Sequence, residues 1–287
     1  MIPASSAALP GSSEAPDQLL RRPISLELAP SEVAAFEPDP AVFPPGSRVF
    51  LSHIEGKSLA DQAEAAGRLT RKGFRPVPHL GARNFDTGGD FAAHVDRLAA
   101  ADVREALFVG GNPATARGPF AQAADLLSHA AMANWPVEKA YLAVHPERHP
   151  AVDAATLTAA FERKLILCRE RGITPAAASQ FEFDGSHLAG WARTFAQAHP
   201  GMELRLGLAG VTSLPKLVRY AVTCGIGPSL SVLRKSPGSL FNVAAERDPG
   251  DMLAALDAAA LPAEINVHFF VFGGWKKTLD WVGRRDG

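Results

Sequence analysis

The sequence predicts an α/β fold, a single (β/α)8 TIM barrel behind a flexible N-terminal leader, and three observations predict it. Short apolar runs alternate with longer Ala/Leu/Arg-rich stretches of helical spacing, which is the pattern of parallel βαβ units. Eight such runs occur, a number that suits a closed barrel better than an open doubly wound sheet. The chain has 287 residues, is 47% hydrophobic, and contains no linker or internal repeat that would divide it.

Residues 1–22 are rich in Ala, Ser and Pro, with neither a basic start nor a continuous apolar stretch. They read as a flexible leader rather than a secretory signal, leaving 23–287 as the barrel domain. The expected strands are 24–28 (ISLEL), 48–52 (RVFLS), 75–80 (RPVPHL), 105–110 (EALFVG), 139–144 (KAYLAV), 177–183 (AASQFEF), 203–208 (ELRLGL) and 266–272 (NVHFFVF). Helical spacing covers 58–72, 88–101, 117–134, 153–172, 187–198, 213–224 and 249–260, with Ser58, Asp153 and Ser213 as good N-caps. The first crossover, 31–47, is too proline-rich for a long helix, and 225–247 reads as an irregular insertion.

Composition narrows the function. A net charge of −1 without runs of one sign gives no footprint for nucleic acid. Cys168 and Cys224 lie far apart without metal-ligand spacing, as in a reduced, cytoplasmic chain. No window approaches the roughly 18 apolar residues of a membrane span. The sequence leaves a homo-oligomer open.

In such a barrel the active site lies at the C-terminal ends of the strands. Those ends carry Glu27; Ser52, His53 and Glu55; His79; Gly110, Gly111 and Asn112; His145 and Glu147; Gln180, Glu182 and Asp184; Gly210 and Thr212; and His268. Glu27 stands out, a carboxyl among apolar strand residues closed off by Pro30. In apolar surroundings its pKa rises and it can donate a proton near neutrality; the plainer alternative is a carboxylate satisfied by arginine or backbone. Gly110 and Gly111 let a flat ring or phosphate approach the backbone, or simply form a tight turn closed by Asn112 and Pro113. Neither GxxxxGK[ST] nor a strand-following GxGxxG occurs. His79, His145 and His149 suggest a metal only weakly, because no His-x-His pair follows the first strand, and no metal is expected. Strand periodicity puts Gln180, Glu182 and Asp184 on one face, where Gln180 can read an amide-like edge, or else the two acids lie in solvent. Arg163 and Lys164 read as a solvated helix face, with a phosphate clamp as the less favoured alternative.

Taken in order, these pieces resemble the methylenetetrahydrofolate reductase family. SLELAP is similar to that family's Ser-Phe-Glu-Phe-x-Pro, and Pro78-His79-Leu80 to its Pro-His-Leu. AYLAVHPE (140–147) matches in part its Ala-Tyr-Pro-Glu-x-His-Pro-Glu, and SQFEFD (179–184) its Thr-Gln-Phe-Phe-Phe-Asp. LGLAGVTSLPKLVRYAVTCG echoes its Pro-Gly-Ile-x-Pro stretch, and His268-Phe269-Phe270 its His-Phe-Tyr. The resemblance implies an oxidoreductase that reduces 5,10-methylenetetrahydrofolate to 5-methyltetrahydrofolate, with Glu27 as the general acid opening the imidazolidine ring. It places Asn112, Gln180 and Leu214 at the folate, and His79, Gly110, Gly111, Tyr141, His145, Arg163 and Lys164 around the cofactor. The sequence departs from the family pattern at Gly110, Asn112, Leu142, Ala143, Leu157 and Ala160. Hydride is therefore expected from FADH2, FAD being the family's cofactor, or directly from NADH or NADPH. A folate-dependent methyl-group transferase and a non-catalytic folate-binding relative are the alternatives.

Overall fold

The strands are buried on both faces along most of their length, as in a parallel sheet with side chains inside and helices outside. In a computed structural model that describes residues 18–53, 58–111, 113–147, 149, 152–223 and 246–285, eight parallel strands form a closed barrel. They are β1 (Ser25–Leu28), β2 (Arg48–Leu51), β3 (Arg75–Gly81), β4 (Glu105–Val109), β5 (Lys139–Val144), β6 (Thr174–Ser179), β7 (Leu204–Ala209) and β10 (Ile265–Phe270). The order round the barrel is β1-β10-β7-β6-β5-β4-β3-β2. A short antiparallel pair, β8 (Thr212–Ser213) and β9 (Glu246–Arg247), brackets residues 224–245, so most of the expected insertion lies outside the described residues.

The helices are α1 (Leu59–Arg71), α2 (Gly88–Ala100), α3 (Ala123–Ser128), α4 (Ala154–Glu170), α5 (Gly185–Ala198), α6 (Leu214–Thr223), α7 (Gly250–Ala258) and α8 (Trp275–Arg285). Ser58, Thr87, Asp153 and Asp184 cap α1, α2, α4 and α5 by accepting backbone N–H groups. The proline-rich first crossover contains only a 3-10 turn, Pro30–Ala35, as its prolines require. Three boundaries differ from expectation. The 117–134 stretch breaks into α3 and a 3-10 turn, Ala130–Asn134. The last helix, α8, has no counterpart in the sequence reading. β6 begins before the Phe-rich run, because pairing with β5 recruits the small residues Ala176, Ala177 and Ala178 despite their weak strand preference.

Two layers follow from the period of two. Leu26, Leu28, Val49, Leu51, Leu80, Phe108, Leu142, Leu206 and Val267 face outward into one core shared with the helices. Phe50, Val77, Leu107, Tyr141, Ala176 and Ala178 fill the barrel interior. The N-terminal end is closed by ions. Arg48 pairs with Glu105 at 2.6 Å, while Glu203 accepts from Lys139 at 2.5 Å, Arg205 at 2.7 Å and Tyr141 at 2.9 Å. Residues 18–22 pack on this body: Leu19 and Leu20 are buried, and Arg22 donates to the carbonyls of Leu261, Pro262 and Ile265.

Candidate active site at the C-terminal mouth

Glu27 is the last inward-facing residue of β1, in register with Phe270 on β10 and Phe50 on β2. Its Oε2 lies 3.6 Å from His79 Nε2 on β3; β2 separates the two strands, so the side chains meet inside the barrel. That gap is longer than a hydrogen bond, and His79 Nε2 is buried without a partner. Burial, reinforced by nearby Glu32, pushes the Glu27 carboxyl up to about 8, so it is protonated at neutral pH. The side chain keeps 22% of its surface open toward the mouth.

The imidazoles around it are neutral. Burial, with His53 beside it, lowers His79 to about 3; burial and Arg117 lower His53 to about 4. His268 is also lowered well below its ordinary value by burial, but it sits one layer deeper than expected for the rim. Its Nδ1 is 3.0 Å from Ser25 Oγ, and its ring packs 4.4 Å from Phe50. A neutral imidazole presents a lone pair toward which the protonated carboxyl can turn its hydrogen, while the proton stays on the carboxyl.

Buried Gln62 on α1 holds the ends of β2 and β3 in place. Its Nε2 donates to the carbonyls of Leu51 at 3.1 Å, Ser52 at 3.3 Å and His79 at 3.1 Å. Its Oε1 lies 3.0 Å from His94 Nε2 on α2 and accepts from it. Sequence reasoning missed this pair, whose partners are far apart in the chain.

The adjoining wall, reached through Phe270 beside Glu27, is aromatic. Phe270, Phe181, Phe183, Phe272 and Tyr220 form one cluster, with Tyr220 stacked on Phe272 at 4.5 Å. Phe272 has φ +48, a strained value for a bulky side chain that the surrounding rings hold in place. A Cβ at Gly207 would lie 2.7 Å from the Phe270 ring, so glycine there lets the ring lie across the mouth.

Other expected site residues lie elsewhere or act differently. Tyr141 is fully buried and its hydroxyl reaches Glu203 at the N-terminal end, away from any cofactor at the mouth. Arg163 is exposed on α4, whereas Lys164 is buried beside Phe161 and Cys168, so the two cannot close on one phosphate. Gly110 and Gly111 make room for protein instead of a cofactor. Arg83 donates to both their carbonyls, at 3.2 and 3.0 Å, and Gly111, with φ +93, lies against Asn84. His145 packs edge-on to His149 at 5.0 Å, and burial lowers it to about 4. Gln180 lies in a loop, not a strand, and its Oε1 accepts the Phe181 N–H at 3.1 Å. Residues 180–184 therefore do not alternate as expected: Glu182 is buried and Asp184 caps α5. Leu214 opens α6, half-buried. Asn112 and Glu55 lie outside the described residues. Among the described residues no three His, Cys, Asp or Glu side chains gather as metal ligands, and no helix is long and apolar enough to cross a membrane.

No family model matches the chain. Among solved structures it is similar to a phosphoenolpyruvate phosphomutase from Streptomyces platensis subsp. rosaceus, at 11% identity and a TM-score of 0.46, covering 94% of this chain and 85% of that one. It is also similar to the protein CitE from Mycobacterium tuberculosis in complex with magnesium, acetoacetate and coenzyme A, at 15% identity and a TM-score of 0.36, covering 83% and 98%. These findings correct the expected membership of the methylenetetrahydrofolate reductase family: no family model matches the chain, and neither of these two structures is described as a reductase. With it fall the oxidoreductase activity, the folate substrate, FAD and the NADH or NADPH reductant, and both folate-based alternatives. Some of the short motifs serve the barrel itself: Tyr141 of AYLAVHPE packs inside it, and Asp184 of SQFEFD caps α5.

Proposed function

We propose that the chain is a single-domain, cytoplasmic enzyme that uses Glu27 as a general acid on a small organic substrate held in the barrel mouth. One observation carries the reading: a carboxyl held protonated to about pH 8 at the C-terminal end of β1, beside an imidazole nitrogen with no partner. A general acid works best when its pKa lies near the working pH, and Glu27 meets that condition. His79, neutral and with its Nε2 unpartnered, orients the proton that stays on Glu27 in the resting state. Phe270 forms the apolar floor beside the acid, and the Gln180 amide offers its N–H groups at the rim. The substrate this suits is neutral, with an apolar face and an oxygen, nitrogen or electron-rich carbon that accepts the proton.

The test is hydrolysis of an aryl-substituted vinyl ether, which begins with proton transfer to carbon. The wild type accelerates it, with a rate that falls as pH rises through about 8. Glu27→Gln loses on the order of 100-fold. Equal rates in the two proteins would reject the acid role.

A further inference from the structure

Three strands round the barrel from β1, at the end of β6, lies a second titratable pair that the reading above does not use. Glu182 has a side chain with 0% exposure, and both of its oxygens are 3.1 Å from His187 Nδ1 on the first turn of α5. His187 itself is half exposed, at 51%. The position of the imidazole is set twice. Asp184, the cap of α5, accepts the backbone N–H of His187 at 2.9 Å, and the buried carboxylate fixes its ring. Among the described residues the other charged groups acting on Glu182 are acidic: Asp184, and Glu147 after β5, whose Oε2 is buried without a partner. Burial and these neighbours raise the Glu182 carboxyl, while His187 opposes the rise.

A carboxylate on Nδ1 keeps that nitrogen as the N–H and leaves Nε2 with its lone pair. Since the carboxylate is fully buried and the ring half exposed, Nε2 is the side of the ring available to a ligand. We propose that Glu182 and His187 form a general-base dyad, with Glu182 orienting the ring and His187 Nε2 removing a proton from a carbon acid bound at the mouth. The proposal rests on the mouth being the reaction site. It narrows the substrate to one with an acidic C–H next to a carbonyl or imine. His187 Nε2 takes the C–H proton, and the C–H electron pair forms a carbon–carbon double bond. The carbonyl or imine electron pair moves onto its heteroatom, which receives the Glu27 proton. The product is the enol or enamine isomer, with no oxidant or reductant consumed.

Two measurements test it. The first is the ring tautomer, read at pH 8.5 by nitrogen–proton correlation NMR on the uniformly labelled protein. His187 is expected with the proton on Nδ1, and this preference is expected to disappear in Glu182→Gln; a proton on Nε2 in the wild type overturns the proposal. The second uses 5-nitrobenzisoxazole, a base probe in which loss of the ring C–H proton breaks the N–O bond and releases a coloured cyanophenolate. The wild type is expected to exceed free imidazole at equal concentration by about 100-fold, with most of that lost in His187→Gln and about tenfold lost in Glu182→Gln. A wild-type rate equal to that of free imidazole, or one unchanged in His187→Gln, overturns it. Failure of the Glu27 reading shows instead in titration of that carboxyl, in which neither the probe nor His187 takes part.

Discussion

The two ends of the barrel handle a buried carboxyl in opposite ways. At the N-terminal end burial works against ionising Glu203, but Arg205, Arg48 and Lys139 overrule it and hold the group down to about 2. At the C-terminal end Glu27 faces, among the described residues, a neutral histidine and the acid Glu32, and burial with Glu32 pushes it up to about 8. The residue type is the same, and each carboxyl sits at one end of the barrel, Glu203 just ahead of β7 and Glu27 within β1; what differs is the cations around them. One end spends its charges on holding the structure together, and the other keeps a carboxyl ready to give up a proton.

The largest effect should come from breaking the closed end. Glu203→Ala leaves Arg48, Lys139 and Arg205 facing one another, and chemical denaturation should show a loss of about 3–5 kcal/mol. A loss under about 1 kcal/mol would mean that the network contributes little.

Next in size is the pH dependence of the mouth. The folded pKa of Glu27 lies above its ordinary value of 4.5, so its contribution to stability is complete below pH 4.5 and disappears as pH rises toward about 8. In that window the wild type should lose up to roughly 1.4 kcal/mol per pH unit from this group. Glu27→Gln should remove that slope and be the more stable protein at pH 8, by about 1–3 kcal/mol. Glu203 has the opposite sign: its contribution is present above pH 4.5 and is lost as pH falls through about 2. Comparing the two variants across pH separates the ends of the barrel in one data set.

Of similar size is the brace beneath the mouth. Gln62→Leu orphans three carbonyls and His94, and should cost about 1–3 kcal/mol in thermal unfolding. The smallest effect marks the baseline: Glu64→Gln removes an exposed pair with Arg68 on α1 and should change stability by about 0.3–0.5 kcal/mol.

The sequence made the barrel legible because its signal is local. Leu26 and Leu28 flank Glu27 with the period of a strand, and Ser58 and Asp153 announce helices. Glu27 could be picked out for the same reason, as a break in an apolar pattern. β6 was placed three residues late, because Thr174–Ala176 pairs only through its neighbour β5 while the Phe-rich run drew the strand past its end at Ser179. The ion network was half visible, since β2, β4 and β5 each begin on an inward charge, Arg48, Glu105 and Lys139. The Glu182–His187 and Gln62–His94 pairs depend on how a loop and two helices fold back on the sheet, and spacing along the chain does not encode that. The family resemblance failed where short motifs double as structure: Tyr141 packs inside the barrel and reaches Glu203, and Asp184 caps α5.

The central claim is that Glu27 is a protonated acid in the resting protein. Carbon-13 NMR of the side-chain carboxyls, with Glu27 assigned by its absence in Glu27→Gln, measures this directly. The account predicts a titration midpoint near 8, and a midpoint near the ordinary 4.5 would contradict it.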